Sequence, residues 1–306
     1  MFQGEKSKVF KWVVVVNDKK YYWSNGLKID STLKSNLDDC VERVNSKKAS
    51  LIIIDGGVGE GKTTLGTICG FELAASFNQE FSIKDQVRQG GSDFLKGMDW
   101  CVKNKRNVVV YDEAGDFNTR ASLTYFNQNM NRVFETYRAL KIVVILCLPS
   151  FADIDTSLMK KKIARMLIHC YARNNNYGNY KVYSLWRAWY LKAKFAKVTV
   201  PDDAFRMVSP NFFGRFRDLD PVQAKELEVL SIAGKKSIIQ KGMLKERGLI
   251  NIKEIAQKTG YSVETIRRYT KAKKLRAEKH GATLYYHKEI VENILIDKER
   301  EGRVAI

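Results

Sequence analysis

One glycine-rich stretch constrains the fold of this chain more than any other feature. Residues Gly56–Thr64 read GGVGEGKTT, which fits the pattern GxxxxGK[ST]. The stretch follows Leu51–Ile54, a short and wholly apolar run typical of a strand that is covered on both faces. A helical pattern from about Gly61 to Ser76 comes next. Strand, glycine loop and helix in this order predict a loop whose backbone N–H groups surround phosphate oxygens at a helix N-terminus.

The same stretch predicts a nucleotide site with two chemically distinct side chains. Lys62 is placed to reach the β- and γ-phosphates of ATP, and the Thr63 hydroxyl is placed to bind Mg²⁺. The alternative is a glycine-rich turn with a chance lysine, which the flanking strand and helix disfavour. The predicted nucleotide-binding residues are Gly56, Gly57, Val58, Gly59, Glu60, Gly61, Lys62, Thr63 and Thr64.

A pair of acids after a second apolar run predicts the rest of this site. Residues Asn107–Glu113 read NVVVYDE, so the strand delivers Asp112 and Glu113 to its carboxyl end. We expect Asp112 to hold Mg²⁺ through water and Glu113 to polarise the attacking water. The alternative is that both acids cap the following loop. Because phosphoryl transfer to a second substrate needs no water-activating base, the pair favours ATP hydrolysis over kinase chemistry.

Two more apolar runs predict the neighbouring strands of a parallel sheet. Val108–Tyr111 and Ile142–Leu148 have the wholly apolar character of a buried strand. Helical patterns separate the strands, one opening at Ser92 or Asp93 and one spanning Leu123–Ala139. Strands that alternate with helices predict an α/β fold, here a P-loop NTPase with a mainly parallel core sheet.

Hairpins and a proline-containing stretch outline the rest of the chain. Val9–Trp23 predicts a hairpin turning at Asn17-Asp18, and Ala164–Tyr171 with Lys181–Leu191 predicts a second, longer one. We expect four segments: 1–47, an N-terminal hairpin and helix; 48–200, the P-loop ATPase core; 201–247, a connector and helix; and 248–306, a DNA-binding domain like a winged helix-turn-helix.

Arginines on the predicted helix before Ile142 are candidates for transition-state stabilisation. Hydrolytic P-loop enzymes often use an arginine, commonly from a neighbouring subunit, to neutralise the developing charge. Arg138 is the first candidate and Arg132 the second. The alternative for each is a solvated helix face with ordinary salt bridges.

The phosphate loop, VVVYDE, the arginine-bearing helix and the strand ending in Leu148-Pro149-Ser150 resemble the FtsK/HerA-like superfamily of DNA-pumping ATPases. That group includes viral packaging, plasmid-transfer and Zot-like phage assembly motors. The resemblance covers roughly residues 48–200 and implies a homo-oligomeric ring, ATP at subunit interfaces and double-stranded DNA in the pore. A polar sensor, frequently glutamine, is expected after the third strand, where this chain has Pro149-Ser150.

The charge balance and the C-terminal segment both indicate a polyanionic partner. The chain carries 53 Lys and Arg against 34 Asp and Glu, a net charge of +19. Residues 250–296 pattern a helix, a turn at Gly260, a basic second helix and a hairpin at His280-Gly281, and they are similar to MerR-like and winged helix-turn-helix domains. A module that binds protein is the alternative. The predicted DNA-binding residues are Arg267, Arg268, Lys271 and Lys274.

Composition narrows the remaining classes. No apolar run approaches the ~18 residues of a membrane span, and we find no clear membrane anchor. The five cysteines stand apart and the three histidines lack a metal-ligand spacing, so we expect free thiols, a cytoplasmic location (the host cytoplasm for a viral protein) and no metal beyond Mg²⁺.

The expected function is therefore an Mg²⁺-dependent ATPase acting on DNA, as a translocase or packaging motor of a virus, phage or mobile element. Two alternatives remain open. One is a non-motor, ATP-gated DNA-binding switch in replication, partition or transposition. The other is an ATPase that docks on a protein or membrane assembly.

Overall fold

The computed structural model describes residues 12–16, 19–24, 27–48, 50–112, 140–154, 157–160, 162–173, 176–246, 249–271, 277–280 and 283–287. The chain divides into two compact units, Met1–Ser231 and Ile232–Ile306. Among the helices described, none combines the length and apolar character needed to cross a membrane.

The first unit opens with a small antiparallel sheet. Its strands are β1 (Trp12–Val16), β2 (Lys19–Ser24) and β3 (Leu27–Asp30), and β2 pairs with both neighbours. The β1–β2 pair confirms the predicted hairpin, whereas β3 was not predicted. Asp30 then caps the first helix, its Oδ1 accepting a hydrogen bond of 2.9 Å from the Thr32 backbone N–H.

A seven-stranded sheet forms the centre of this unit. Five of its strands are parallel, in the sheet order β8-β4-β7-β6-β5. Beyond β8, β9 pairs antiparallel with β8, and β10 pairs antiparallel with β9. The predicted α/β fold with a mainly parallel sheet is therefore confirmed. Their bounds are β4 (Ser50–Asp55), β5 (Val87–Gln89), β6 (Val108–Asp112), β7 (Val143–Leu148), β8 (Ala164–Arg173), β9 (Asn176–Ser184) and β10 (Phe212–Arg215).

Helices cover both faces of this sheet, which explains its wholly apolar strands. In β4, Ile52 and Ile54 join the buried cluster under the first two helices, while Leu51 and Ile53 join the cluster on the opposite face. All four side chains are at most 1% exposed. The helices are α1 (Ser31–Asn45), α2 (Lys62–Ser76), α3 (Ile83–Gln86), α4 (Gly91–Lys103), α5 (Ser157–Lys160), α6 (Leu185–Phe195), α7 (Pro201–Met207) and α8 (Pro221–Glu246).

Two sequence-based expectations need correction. The second arm of the long hairpin is β9, which ends at Ser184, so the expected strand over Lys181–Leu191 is wrong beyond that point. From there Ala188 and Leu191 recur at helical spacing and are buried against the sheet as part of α6.

The expected connector from residue 201 contains regular structure instead. Pro201 starts α7, where its missing N–H costs nothing, and Asp202 and Asp203 follow in the first turn. Strand β10 then pairs with β9. The predicted helix Leu123–Ala139 lies outside the described residues.

The second unit has a small core of its own. Its elements are β11 (Leu249–Asn251), α9 (Ile252–Thr259), α10 (Val263–Lys271), β12 (Glu278–His280) and β13 (Thr283–His287), with β13 pairing antiparallel to both other strands. Ile250, Ile255, Ile266 and Tyr286 form the buried centre. Asn251 and Glu254 make a reciprocal capping box at the start of α9, and Gly260 ends that helix in the left-handed region at φ 72°.

Candidate nucleotide-binding site

The glycine loop turns away from β4 at positions where only glycine fits. Gly56 follows directly after Asp55, and a Cβ on it would lie 2.6 Å from the Cys170 carbonyl oxygen. Gly61 has φ 85°, and a Cβ there would lie 2.8 Å from Cζ of Phe216. A side chain at either position would displace backbone or a packed ring, so the loop can curl tightly before α2 begins at Lys62.

Lys62 lies back over this loop. Its Nζ donates hydrogen bonds to the Gly56 carbonyl at 2.8 Å and to the Gly57 carbonyl at 2.6 Å. An ammonium group has three donors, so these two bonds orient the charge and leave capacity for a phosphate oxygen. The lysine charge and the positive end of α2 therefore act at the same place.

Thr63 and Asp112 lie 49 positions apart in sequence and meet at the carboxyl edge of the sheet. The Thr63 hydroxyl donates a hydrogen bond to Oδ1 of Asp112 at 2.8 Å, and Asp112 is buried, with only 5% of its surface exposed. Gln89 Nε2 donates to Oδ2 of Asp112 at 3.3 Å. Gln89 was missed by sequence reasoning, because a three-residue strand in a Gly- and Gln-rich stretch has no periodic signal.

The oxygen atoms of Thr63 and Asp112 fit a magnesium ion. Mg²⁺ prefers oxygen ligands and is usually held by one or two carboxylates together with waters and substrate phosphates. Within the described ranges, no group of three or more His, Cys, Asp or Glu side chains forms a protein-only metal cage. A hydroxyl beside one carboxylate next to a phosphate loop is the donor set that such a shared site needs.

Glu60 uses its side chain on the protein itself. Its Oε2 accepts a hydrogen bond from the Gly57 N–H, and its Oε1 accepts one of 3.4 Å from the Ala172 N–H. The carboxylate thus ties the loop to the end of β8. Val58, also in the predicted nucleotide-binding set, is fully exposed at 101%.

A buried pair fixes the end of β4 from the other side. Nδ1 of His169 lies 3.0 Å from Oδ1 of Asp55, and Oδ2 of Asp55 accepts a hydrogen bond of 3.1 Å from the Phe151 N–H. The His169 ring also stacks on Phe205, with centroids 3.6 Å apart. These contacts join β4, β8 and the turn after β7. Ser150, in that turn, accepts a hydrogen bond from the Ala152 N–H at 3.1 Å.

The aromatic ring of Tyr177 and a cleft adjoin the glycine loop. Tyr177 lies beside Gly61, and its hydroxyl donates to Oδ1 of Asp218, which raises the pKa of Tyr177 to about 12. Next to this ring, a cleft of about 240 Å³ opens between the start of α2 and the start of α8. Its lining includes Thr63, Thr64, Asp218, Leu219, Leu227 and Glu228.

The second unit presents a basic face on α10. Arg267, Arg268 and Lys271 are exposed and line one shallow groove, while Ile266 on the opposite side of the helix is fully buried. Glu264 lies on the basic face too, with Oε2 3.7 Å from Nη1 of Arg267.

Four predicted site residues fall outside the described residues. They are Glu113, Arg132, Arg138 and Lys274.

The sequence matches no protein-family model and no curated protein. Solved structures overlap with parts of the chain. A chain of the HORMA:CdnC:Trip13 complex of E. coli MS115-1 gives a TM-score of 0.34 at 15% identity, covering 55% of this chain and 68% of that one. The genome packaging NTPase B204 of Sulfolobus turreted icosahedral virus 2, with AMPPCP, gives 0.32 at 14%, covering 45% and 93%. The replication initiator DnaA, bound to AMPPCP and single-stranded DNA, gives 0.32 at 14%, covering 78% and 69%. Overlaps of this size assign the chain no family.

Proposed function

We propose that this protein is an Mg²⁺-dependent nucleoside triphosphatase, with ATP as its substrate, that acts on DNA. One observation supports the first part above all: Lys62, Thr63 and Asp112 converge where a glycine loop leaves a parallel strand and α2 begins. That convergence supplies a cation for phosphate, a hydroxyl and a carboxylate for the metal, and a helix N-terminus in one place.

Each of these side chains has a separate task in the proposed reaction. Lys62 binds the β- and γ-phosphates while its bonds to Gly56 and Gly57 hold it in position. Thr63 and Asp112 would hold Mg²⁺, and the bound ion would neutralise the charge that develops on the phosphates. Glu60 and Asp55 keep the loop in place through their bonds to the neighbouring strands.

The hydrolytic step is assigned to Glu113, the residue after Asp112 in the sequence. As a general base it accepts a proton from the water whose oxygen bonds to the γ-phosphorus, while the bond from that phosphorus to the β–γ bridging oxygen breaks and ADP leaves. Arg138, or Arg132 in second place, would stabilise the transition state from a neighbouring subunit of a ring.

The DNA part of the proposal rests on charge and on α10. A net charge of +19 favours polyanions, and Arg267, Arg268 and Lys271 share one exposed face of a helix that follows a short turn after α9. With Lys274 they form the proposed DNA-binding set of a winged helix-turn-helix. Arginine suits guanine edges and lysine suits phosphate.

Replacing Lys62 tests the nucleotide site. Lys62→Ala should bind ATP about 10- to 100-fold more weakly, since charge-assisted hydrogen bonds are worth about 1.5–3 kcal/mol. Lys84→Ala, an exposed lysine whose described contact is made by its backbone, is the matched control and should bind normally. Isothermal titration with ATP measures both, and unchanged affinity in Lys62→Ala contradicts the assignment.

The favoured role is a translocase or packaging motor. A motor should hydrolyse ATP faster when duplex DNA is added and should assemble into a ring in the presence of ATP. A switch should hydrolyse slowly with or without DNA and change its DNA affinity between nucleotide states. Phosphate release with and without duplex DNA, beside mass photometry with ATP, separates the two roles.

A further inference from the structure

A cleft lined by Thr63 and Thr64 continues from the proposed phosphate and magnesium site. Three segments of the first unit form it: the start of α2, the stretch after β10 with Asp218 and Leu219, and α8 with Leu227 and Glu228. Its volume of about 240 Å³ is large enough to hold one heterocyclic base.

Part of the cleft wall suits a flat apolar surface. Leu219 and Leu227 are 6% and 7% exposed and belong to the buried cluster that α1 and α2 share with the sheet. Because they pack into that cluster, their outer methyl groups are held in place. The faces of a nucleobase bind to this kind of surface, while polar groups at its rim fix the orientation.

The charges in the cleft assign its two ends to different parts of a nucleotide. Lys62 and the N-terminus of α2 attract a triphosphate, whereas the carboxylates of Asp218 and Glu228 repel one. A nucleotide with its phosphates on the loop therefore places its uncharged end toward these two acids. Ionised carboxylates only accept hydrogen bonds, so they select a base that presents N–H donors.

We propose that this cleft binds the base of the nucleoside triphosphate, and that Asp218 and Glu228 accept hydrogen bonds from its exocyclic amino group. The proposal rests on the proposed nucleotide site and adds the two side chains that recognise the base of its substrate. Tyr177 is a positioning residue, because its hydroxyl donates a hydrogen bond to Oδ1 of Asp218 and so fixes the orientation of that carboxylate.

Inosine triphosphate makes the decisive comparison, since its base is a purine without the amino group. Affinities of the full chain for ATP, GTP, ITP and inorganic tripolyphosphate are measured by titration in the cold with Mg²⁺. We expect ATP or GTP to bind at least about 10-fold more tightly than ITP, the size expected for losing a hydrogen bond to a charged group. Comparing ATP with GTP identifies the preferred aminopurine.

Three variants assign the preference to the acids. Glu228→Leu and Asp218→Ala should each reduce the ratio of ATP or GTP affinity to ITP affinity to within about threefold. Both should bind tripolyphosphate at least as tightly as the wild type does, because each loses a carboxylate that repels phosphate, and such binding shows that the loop is intact. Glu226→Leu, two residues away on the same helix and outside the cleft lining, should keep the wild-type ratio.

The outcomes separate this proposal from the one on which it rests. If tripolyphosphate binds but ITP binds as tightly as ATP and GTP, the base-recognition proposal is wrong and the nucleotide site stands. If Glu228→Leu and Asp218→Ala both keep the wild-type ratio of ATP or GTP affinity to ITP affinity, the base-recognition proposal is likewise wrong and the nucleotide site stands. If neither tripolyphosphate nor any nucleotide binds, both proposals are wrong.

Discussion

Asp112 is the residue whose removal most directly tests the metal. Asp112→Asn keeps the shape and an acceptor for the Thr63 hydroxyl but removes the charge that favours Mg²⁺. We expect the magnesium concentration at half-maximal ATP hydrolysis to rise about 10-fold or more, while ATP binding without metal stays near the wild-type value.

The measurement is the rate of phosphate release across a magnesium titration. Asp99→Asn is the matched control, since Asp99 is an exposed acid paired with Lys103 on α4. If Asp112→Asn needs no more magnesium than the wild type does, the assignment of the metal to Asp112 at the end of β6 is wrong.

Asp55 should matter more to stability than any surface acid. Asp55→Ala leaves the Phe151 N–H and the His169 ring without their acceptor inside the protein, where Asp55 is only 2% exposed. Each unsatisfied buried group costs about 1–3 kcal/mol, so the free energy of unfolding should fall by about 2–6 kcal/mol for the two groups together. Urea denaturation measures it, and Asp99→Ala should change it by less than about 0.5 kcal/mol.

Some of these residue contacts could be predicted from the sequence and others could not, for a physical reason. Lys62, Thr63 and Asp112 were predictable because a motif and an apolar strand place them at one sheet edge. Asp55 and His169 are 114 positions apart and meet only because β4 and β8 pair in parallel with these two residues in register. Nothing local in either strand marks a polar residue as one that will be buried beside another.

At the scale of elements, the strands that the sequence predicts best are those that are buried on both faces of the sheet. Strands β4, β6 and β7 are apolar throughout because helices cover both sides, and that pattern is legible in the sequence. Strand β5 has three residues, of which only Val87 is buried, so its composition does not predict a strand. Its pairing with β6 stabilises the extended conformation. The end of β9 was misplaced because apolar residues continue into α6 without a break.

Helix α10 carries a prediction about two kinds of DNA contact. If Arg267 touches a base edge, Arg267→Ala should relax sequence preference at a cost of about 1–3 kcal/mol. If Lys271 touches phosphate, Lys271→Ala should weaken binding to all sequences alike and reduce the salt dependence. Both side chains are exposed on the same face, so neither change should affect folding.

DNA affinity across a salt series, for a selected site and a scrambled one, checks both statements. Lys253→Ala is a matched control, because Lys253 is an exposed lysine on α9 and is absent from the groove lining. If the two variants bind both sequences as tightly as the control does, α10 is not the DNA-contacting helix.

At the scale of the whole molecule, the two compact units predict a division of labour. The two clusters that cover the central sheet end at Leu230, and the third cluster begins at Ile250. Deleting residues 248–306 therefore removes one small core completely and leaves the larger core, the glycine loop and Asp112 in place. We expect the truncated protein to fold and to keep basal ATP hydrolysis, because every proposed hydrolytic group precedes residue 200.

The same truncation should abolish preference for a particular DNA site. Weak, salt-sensitive binding should persist, since residues 1–220 carry a net charge of +11 of the +19 total. Affinities of the truncated and full-length proteins for matched and scrambled duplexes, across a salt series, measure the difference. If the truncated protein discriminates between sites as well as the full chain does, the C-terminal unit does not read DNA sequence, and the alternative of a module that binds protein is favoured.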